Sequence, residues 1–216
     1  MEANFSSDLK AQILSAIRNA RSLARLTEAK SGLSEKPVAS VPSKGECLNR
    51  FRTELAALGV DTYFEEKPEA IRKRLASLLE GKSILSWDLD HLPYDVGEVL
   101  QDRLVLFGHD DEQEQATAEI GLTGCDAAIA ETGSLVLISA EGKPRTASLL
   151  PFEYIAIVSR SEIYSSMGDF FEKRGADIAA ASYLNIITGP SRTADIELSL
   201  TLGVHGPGKV SVVIGP

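Results

Sequence analysis

The sequence predicts an α/β fold with three layers, in which helices cover both faces of a mostly parallel central sheet. Two observations lead to this fold class. Short runs of apolar, β-branched residues alternate along the chain with segments that have helical spacing. These apolar runs are continuous, which is typical of strands covered on both faces. Strands that alternate with helices in this way form parallel sheets, because each helix carries the chain back to the same edge.

The N-terminal part, residues 1–42, is predicted to be a helical arm followed by a linker, and residues 43–216 to be one α/β domain. The arm should be a helix over residues 5–28, and the following residues are rich in Ser, Pro and Gly. We expect this helix to pack on the domain or on a second copy of the chain. Its apolar residues recur at intervals of three or four: Leu9, Ile13, Ile17, Ala20 and Ala24.

Three helices are predicted in the domain. Ser43 and Glu46 have the spacing of a capping box, and the helix that they begin should end at Gly59. Pro68 should open a second helix, which ends before Gly81. A third helix is predicted over residues 161–174. The strands are predicted between and after these helices, at residues 83–87, 103–108, 134–139, 154–159, 184–189 and 209–215.

Composition limits the classes of function. The chain has 216 residues with a net charge of −9, which argues against a nucleic-acid-binding protein. Its two cysteines are too few for an iron–sulfur cluster, and we expect two thiols and no cofactor in this chain. The first residues lack the apolar core of a signal peptide, and no apolar run has the length of a membrane span. The expected location is therefore the cytoplasm.

The stretch "GLTGCDAAIAETGS" (121–134) is the first candidate site, because ligands of parallel sheets bind beyond the carboxyl ends of strands. "GLTG" and "ETG" are predicted to be tight turns whose small residues let a ligand approach the backbone. Asp126 and Glu131 would be proton donors, bases or nucleophiles there. The alternative is that both carboxylates cap turns or accept backbone hydrogen bonds.

The segment "ITGPSRTADIE" (187–197) is the second candidate, since a strand ends at Gly189 and free amides with hydroxyls beyond it would suit an anion. The alternative is an ordinary helix cap. Lys143 and Arg145, on a loop after a strand, could reach the same cleft, and His205 lies between glycines. We expect both stretches to meet at one rim of the sheet, with these ligand-binding residues: Thr123, Gly124, Thr132, Gly133, Ser134, Arg145, Gly189, Pro190, Ser191, Arg192, Thr193, Asp195 and His205.

Several common sites are not predicted. Neither "WDLDH" (87–91) nor "HDD" (109–111) has a spacing that specifies metal geometry, so we expect no metal site. The chain also has no Walker loop, no dinucleotide fingerprint and no Gly-x-Ser-x-Gly elbow.

Four motifs in this order resemble those of the LUD-domain family, specifically its lactate-utilisation protein C (LutC- or YkgG-like) group: "GLTGCDAAIAETGSLVL", "RTASLLP", "TGPSRTADIE" and "LGVHGP". The resemblance covers about residues 45–216. It implies a fold similar to the NagB/RpiA/CoA-transferase group. It also implies a part in oxidising L-lactate to pyruvate, beside partner subunits that carry iron–sulfur clusters, with this chain as the cluster-free member.

The resemblance leaves alternatives open. "AETGS" is similar to the nucleophile region of CoA-transferases with this fold, which would make Glu131 the nucleophile of an enzyme. "GPSRT" would suit the phosphate site of sugar-phosphate isomerases. A third possibility is a regulatory module that only senses its ligand. Fold alone does not decide among these functions, so whether the chain is an enzyme stays open at this stage.

Overall fold

The computed structural model describes residues 12–19, 43–193 and 201–216. The chain divides into two units, Met1–Ser40 and Val41–Pro216. In the first unit, residues 12–19 form helix α1, in which Ile13 and Ile17 are exposed. The remainder of the predicted arm and linker lies outside the described residues. No described helix is long and apolar enough to cross a membrane.

The second unit is built on a six-stranded sheet in which every pair of neighbouring strands is parallel, so the predicted fold class is confirmed. The strand order is β1-β12-β7-β4-β2-β3. The predicted strand at 103–108 is reduced to two residues at one edge of the sheet. The six strands are β1 (Asp61–Phe64), β2 (Ile84–Ser86), β3 (Val105–Leu106), β4 (Ile120–Thr123), β7 (Glu153–Ser159) and β12 (Lys209–Gly215).

Two predicted strands lie in a second, four-stranded sheet with the order β8-β5-β6-β9. Its strands are β5 (Ala127–Ile129), β6 (Ser134–Ile138), β8 (Ile163–Tyr164) and β9 (Leu184–Ile187). β6 is antiparallel to both β5 and β9. Placing 134–139 and 184–189 in the parallel sheet was therefore wrong. β6 is buried on both faces although it belongs to an antiparallel pair, whereas β9 is only half buried. A continuous apolar sequence therefore does not distinguish a parallel strand from an antiparallel one.

The prediction of a tight turn at "GLTG" was also wrong, because Gly121 to Thr123 belong to β4 near the centre of the parallel sheet. A β-carbon at Gly121 would lie 1.8 Å from the carbonyl oxygen of Ala147. Glycine is required at this position because the backbone of Ala147, which is distant along the chain, approaches it closely. The "ETG" turn is confirmed, with Gly133 at a φ of 67°.

The helices flank the sheets much as predicted. α2 (Lys44–Ala57) begins with the Ser43–Glu46 capping box, and α3 (Pro68–Leu78) begins at proline. The helix predicted over 161–174 starts later, because Ser166 caps it and a 3₁₀ turn (Arg160–Glu162) and β8 precede it. The helix capped by Ser166 is α7 (Met167–Ala180). The other three helices are short: α4 (Gly97–Leu100), α5 (Glu112–Gln115) and α6 (Thr146–Leu149).

The buried residues form two cores of very different size. The larger core contains the apolar side chains of the parallel sheet with Phe51, Leu55, Ile71 and Leu75 from α2 and α3. The smaller core contains Ala127, Ile129, Val136 and Phe170. β5 and β6 separate the two cores, because alternate residues of a strand point to opposite faces. Phe170 is fully buried in the smaller core, whereas Phe171 is exposed.

Candidate functional site

A polar pocket lies where three neighbouring parallel strands end. Trp87 follows β2, Gly124 follows β4, and Ser159 is the last residue of β7. This is the edge of an open parallel sheet at which ligands bind. The pocket measures about 270 Å³, and we call it the outer pocket. It is lined by Trp87, Asp90, His91, Leu92, Pro93, Gly124, Cys125, Asp126, Lys143, Ile157, Ser159 and Glu162.

The floor of the outer pocket is closely packed around Gly124. A β-carbon at this position would lie 3.0 Å from the His91 carbonyl oxygen and 3.3 Å from the Trp87 ring. The chain from Leu89 to His91 is a 3₁₀ turn that carries Asp90 and His91 to the rim, where both are exposed. Glycine at 124 thus lets the strand end pass directly beneath this turn.

Asp126 and Lys143 form the central contact of the outer pocket. Lys143 Nζ lies 2.5 Å from Asp126 Oδ1, and both side chains are largely buried. The same ammonium lies 4.8 Å from the centre of the Trp87 ring, within the range of a cation–π interaction. Asp126 Oδ2 accepts a hydrogen bond from the Ile138 amide at 2.8 Å. The Asp126 carboxylate therefore holds Lys143 in place and also accepts a backbone hydrogen bond. Such a hydrogen bond was the predicted alternative to a catalytic role for Asp126.

Arg174 supports the acidic side of the outer pocket from α7. Its guanidinium donates to Glu162 Oε2 and to the carbonyl oxygen of Asp126, each at 3.2 Å. Hydrogen bonds with Tyr164 and Asp177 raise the pKa of Arg174 further above its usual value. Each of the carboxylates of Asp126 and Glu162 thus already has a cationic neighbour, while Asp90 is an exposed acid at the rim.

Thr123 and Cys125 lie on either side of Gly124 but have different roles. Thr123 is buried and shares a hydrogen bond of 2.7 Å with the hydroxyl of Tyr154. Burial raises the pKa of that tyrosine well above its usual value. The Cys125 thiol donates to the Ala127 carbonyl oxygen, and desolvation raises its pKa to about 12. The thiol is therefore protonated at neutral pH and is a poor nucleophile.

A second, much smaller cavity shares the lining residues Trp87 and Lys143 with the outer pocket. It measures about 10 Å³, and we call it the inner chamber. Arg145 reaches this chamber while its guanidinium stacks over the Tyr183 ring at 4.4 Å. The chamber is lined by Trp87, Leu137, Ile138, Ser139, Lys143, Pro144, Arg145, Ser148 and Asn185.

Glu131 does not line the outer pocket. Its side chain is exposed, and Oε2 accepts a hydrogen bond from the Met167 amide at 3.2 Å. Met167 is the first residue of α7, so the carboxylate interacts favourably with the positive end of the helix dipole. The carbonyl oxygen of Glu131 accepts from Arg50. These contacts match the capping alternative, and the proposed catalytic role stays a prediction.

The predicted ligand residues of the two stretches meet in part, but against α2 rather than at the outer pocket. Ser134 Oγ lies 2.6 Å from Thr132 Oγ1 and 2.8 Å from Thr188 Oγ1, so three hydroxyls form a chain across β6 and β9. β-carbons at Gly133 and Gly189 would touch α2, at Glu54 and Leu58 respectively. Thr132, Gly133, Ser134 and Gly189 are thus neighbours, whereas Gly124, Asp126 and Arg145 lie at the two cavities.

The segment after Gly189 forms a β-ribbon in the described residues, not the start of a helix. β10 (Arg192–Thr193) pairs with β11 (Thr201–Leu202) in an antiparallel arrangement. The Ser191 amide donates to the Pro207 carbonyl oxygen at 2.8 Å, and Pro190 has no amide hydrogen. Arg192 donates to the Leu58 carbonyl oxygen at 2.7 Å. The expected free amide at Ser191 is therefore already engaged.

The remaining predicted ligand residues are Asp195 and His205. Asp195 lies outside the described residues, and His205 is exposed. Within the described ranges, no group of three or more His, Cys, Asp and Glu side chains is placed to hold a metal ion.

The outer pocket lies at the edge of the sheet where the sequence predicted a site, and three of its lining residues were not among the predicted ligand residues: Trp87, His91 and Ser159. "WDLDH" was considered only as a metal site, although it directly follows a strand. The available signal was its position after a buried strand, by the rule that also selected Gly124 and Asp126. Lys143 was expected to reach the cleft, and it does line the pocket.

Comparison with known families fits this architecture. A sequence model of the LUD domain matches residues 48–214. The chain belongs to the LUD-domain family. The match includes the strand ends that form the outer pocket, together with Lys143 and Asn185.

Similar LUD-domain proteins include two named lactate utilization protein C. The protein from Shouchella clausii is 32% identical over 183 residues, which cover 80% of this chain and 80% of that protein. The protein from a Geobacillus species is 43% identical over 101 residues, covering 45% of this chain and 42% of that protein. The matched region is thus less than half of the Geobacillus protein.

A solved structure supports the fold independently. The crystal structure of a DUF162 family protein from Deinococcus radiodurans superposes with a TM-score of 0.67. The superposition covers 81% of this chain and 99% of that chain, at 23% sequence identity. At this identity the likeness concerns the fold alone.

Proposed function

We propose that this chain is a component of L-lactate utilisation and that its outer pocket binds a small monocarboxylate. The single observation that carries the proposal is the 32% identity to a lactate utilization protein C over 80% of both chains. The outer pocket supplies the place of binding, since it is a polar cavity at the ligand-binding edge of a parallel sheet.

Size and charge favour a small ligand with a single negative charge. The volume of about 270 Å³ is close to the lower end of ligand pockets, which begin at roughly 300 Å³. Lys143 is the one lysine or arginine among the lining residues, beside three carboxylates. A phosphate with two charges would meet net repulsion, and a coenzyme A ester would exceed the cavity. A short carboxylate such as lactate or pyruvate fits the cavity, and with its single charge it meets less repulsion than a phosphate.

In this proposal the chain works with partner subunits that carry iron–sulfur clusters and accept the electrons of lactate oxidation. Two cysteines cannot hold a cluster alone. The chain would contribute binding or assembly rather than electron transfer.

The proposal is tested by isothermal titration of the full chain with L-lactate, pyruvate and inorganic phosphate, and by growth on L-lactate after gene deletion. Lys143→Met should weaken lactate binding roughly tenfold, since one charge-assisted hydrogen bond is lost. Lys209→Met is the matched control, because Lys209 also pairs with a carboxylate but lies outside the pocket. Unchanged growth on lactate after deletion, together with absent lactate binding, would contradict the proposal.

Catalysis by Glu131 or Asp126 is a separate prediction within the same system. Glu131→Gln keeps the shape of the side chain and can still accept the Met167 amide. If Glu131 is a nucleophile or base, this variant should bind lactate normally yet fail to restore growth on lactate. Full restoration of growth would exclude such a role. If the chain is instead a regulatory module, it should bind lactate without converting it.

A further inference from the structure

We propose that the inner chamber is the carboxylate end of the ligand site: it receives one carboxylate oxygen, to which Asn185 Nδ2 donates. This assignment rests on the proposed function, because it requires a small carboxylate in the outer pocket. It assigns to Asn185 a role in ligand orientation that neither the sequence motifs nor the outer pocket indicate.

The first argument is an unsatisfied donor. Asn185 Nδ2 is buried, and no described residue accepts a hydrogen bond from it. Buried polar groups nearly always have a partner, since leaving one without a partner costs free energy. Asn185 is held in β9 opposite Leu137 of β6, and both residues line the chamber. The amide is therefore fixed at a cavity wall and has an unused hydrogen to donate.

The second argument is the separation of charge between the two cavities. The chamber is lined by Lys143 and Arg145 and by no carboxylate. The outer pocket shares Lys143 with the chamber but is also lined by three carboxylates, Asp90, Asp126 and Glu162. An anionic group is attracted by the first set of charges and repelled by the second. A hydroxyl group has the opposite preference, because it can donate to a carboxylate.

The third argument is size. A volume of about 10 Å³ is close to what a single water-sized atom needs. The chamber thus accepts one oxygen, and the remaining atoms of the ligand stay in the outer pocket. Trp87 and Lys143 border both cavities, so the Lys143 ammonium lies beside a carboxylate that spans them. One oxygen would face Asn185, and the second would face Lys143.

The test compares L-lactate with L-lactamide, its neutral analogue, by isothermal titration of the full chain. The wild-type protein should bind lactate at least about tenfold more tightly, as expected for one charge-assisted contact. Asn185→Leu removes the donor, and Asn185→Asp replaces it with a negative charge in nearly the same shape. Both variants should bind lactate about tenfold more weakly, and Asn185→Asp should also lose the preference for lactate, because its carboxylate repels that of the ligand. Asn49→Leu and Asn49→Asp, at an exposed position of α2, should keep both the affinity and the preference.

Each outcome decides the assignment. A lactate affinity retained within twofold in both Asn185 variants overturns it and leaves the proposed function standing, since the chamber then holds only water. Equal affinity of the wild-type protein for lactate and lactamide also overturns it, whether or not the variants fold. If the wild-type protein binds neither compound, both the chamber assignment and the proposed monocarboxylate site are wrong.

Discussion

The two sheets of the second unit contain similar apolar strands but are stabilised differently. The parallel sheet is covered on both faces by the larger core, and its central strands are fully buried. The four-stranded sheet has a core of four buried residues on the side of α7, and β9 is only half buried. Side-chain hydrogen bonds such as the Thr132–Ser134–Thr188 chain supplement its packing.

Because of this difference, individual residues have different roles in the two sheets. In the parallel sheet, close packing dominates, and the outer pocket lies at its edge. In the four-stranded sheet, side-chain hydrogen bonds supplement the packing, and residues 131–134 are used for capping and pairing. Asp126 stands at the junction, since it follows β4 and its carboxylate binds the Ile138 amide of β6.

The largest effect is expected from Gly121→Ala in the parallel sheet. The added β-carbon would overlap the Ala147 carbonyl oxygen, so the free energy of unfolding should fall by about 3 kcal/mol. The control is Gly175→Ala in α7, where no atom lies within 4 Å of the new β-carbon. That change should stabilise the protein by about 0.5–1 kcal/mol. Urea unfolding measures both, and equal effects would refute the comparison.

Asp126→Asn should cost about 2 kcal/mol at the junction of the sheets. Without the carboxylate, Lys143 is largely buried and has no counter-charge. The expected cost in free energy lies between the costs of breaking an exposed ion pair and a fully buried one. A double-mutant cycle with Lys143→Met measures the coupling free energy. The cycle for the more exposed pair of Lys209 and Glu153 should give less than about 0.5 kcal/mol. A coupling as small as this for Asp126 and Lys143 would mean that the pair does not join the sheets.

The partly buried thiol of Cys125, which loses solvent contacts on folding, predicts a loss of stability at alkaline pH. Its pKa is about 12 in the folded protein and about 8.5 in an unfolded chain. Between these values the folded state binds more protons, so stability falls as pH rises, by at most about 1.4 kcal/mol per pH unit. Unfolding measured from pH 8 to 10 should show this slope reduced in Cys125→Ala, and parallel slopes would exclude burial of the thiol.

The smallest effect is expected in the four-stranded sheet. Ser134→Ala removes the middle of the hydroxyl chain and should lower the free energy of unfolding by about 1 kcal/mol. Ser182→Ala, at an exposed position, should change it by less than about 0.5 kcal/mol. Thermal unfolding can resolve this difference. If Ser134→Ala were as harmful as Gly121→Ala, hydrogen bonding and packing would not divide between the sheets as described.

The sequence predicts strands well where burial is local and continuous, as in β2, β7 and β12. It does not reveal β4, because "IGLT" contains a glycine whose purpose is contact with a distant carbonyl group. The rule of carboxyl strand ends identifies the edge that holds the outer pocket. The meeting of Trp87, Asp126 and Lys143 depends on the strand order β7-β4-β2, in which neighbours are distant along the chain. No local pattern encodes that order.

The small core beneath α7 has a consequence for how the molecule opens. Phe170 is the fully buried residue through which this helix is anchored, and most of its other side chains are exposed. Backbone amide protons of α7 should therefore exchange with solvent deuterium through local detachment, well before those of β7 and β12 exchange. Arg174 would leave with the helix, so each such event would release Glu162 and loosen one wall of the outer pocket.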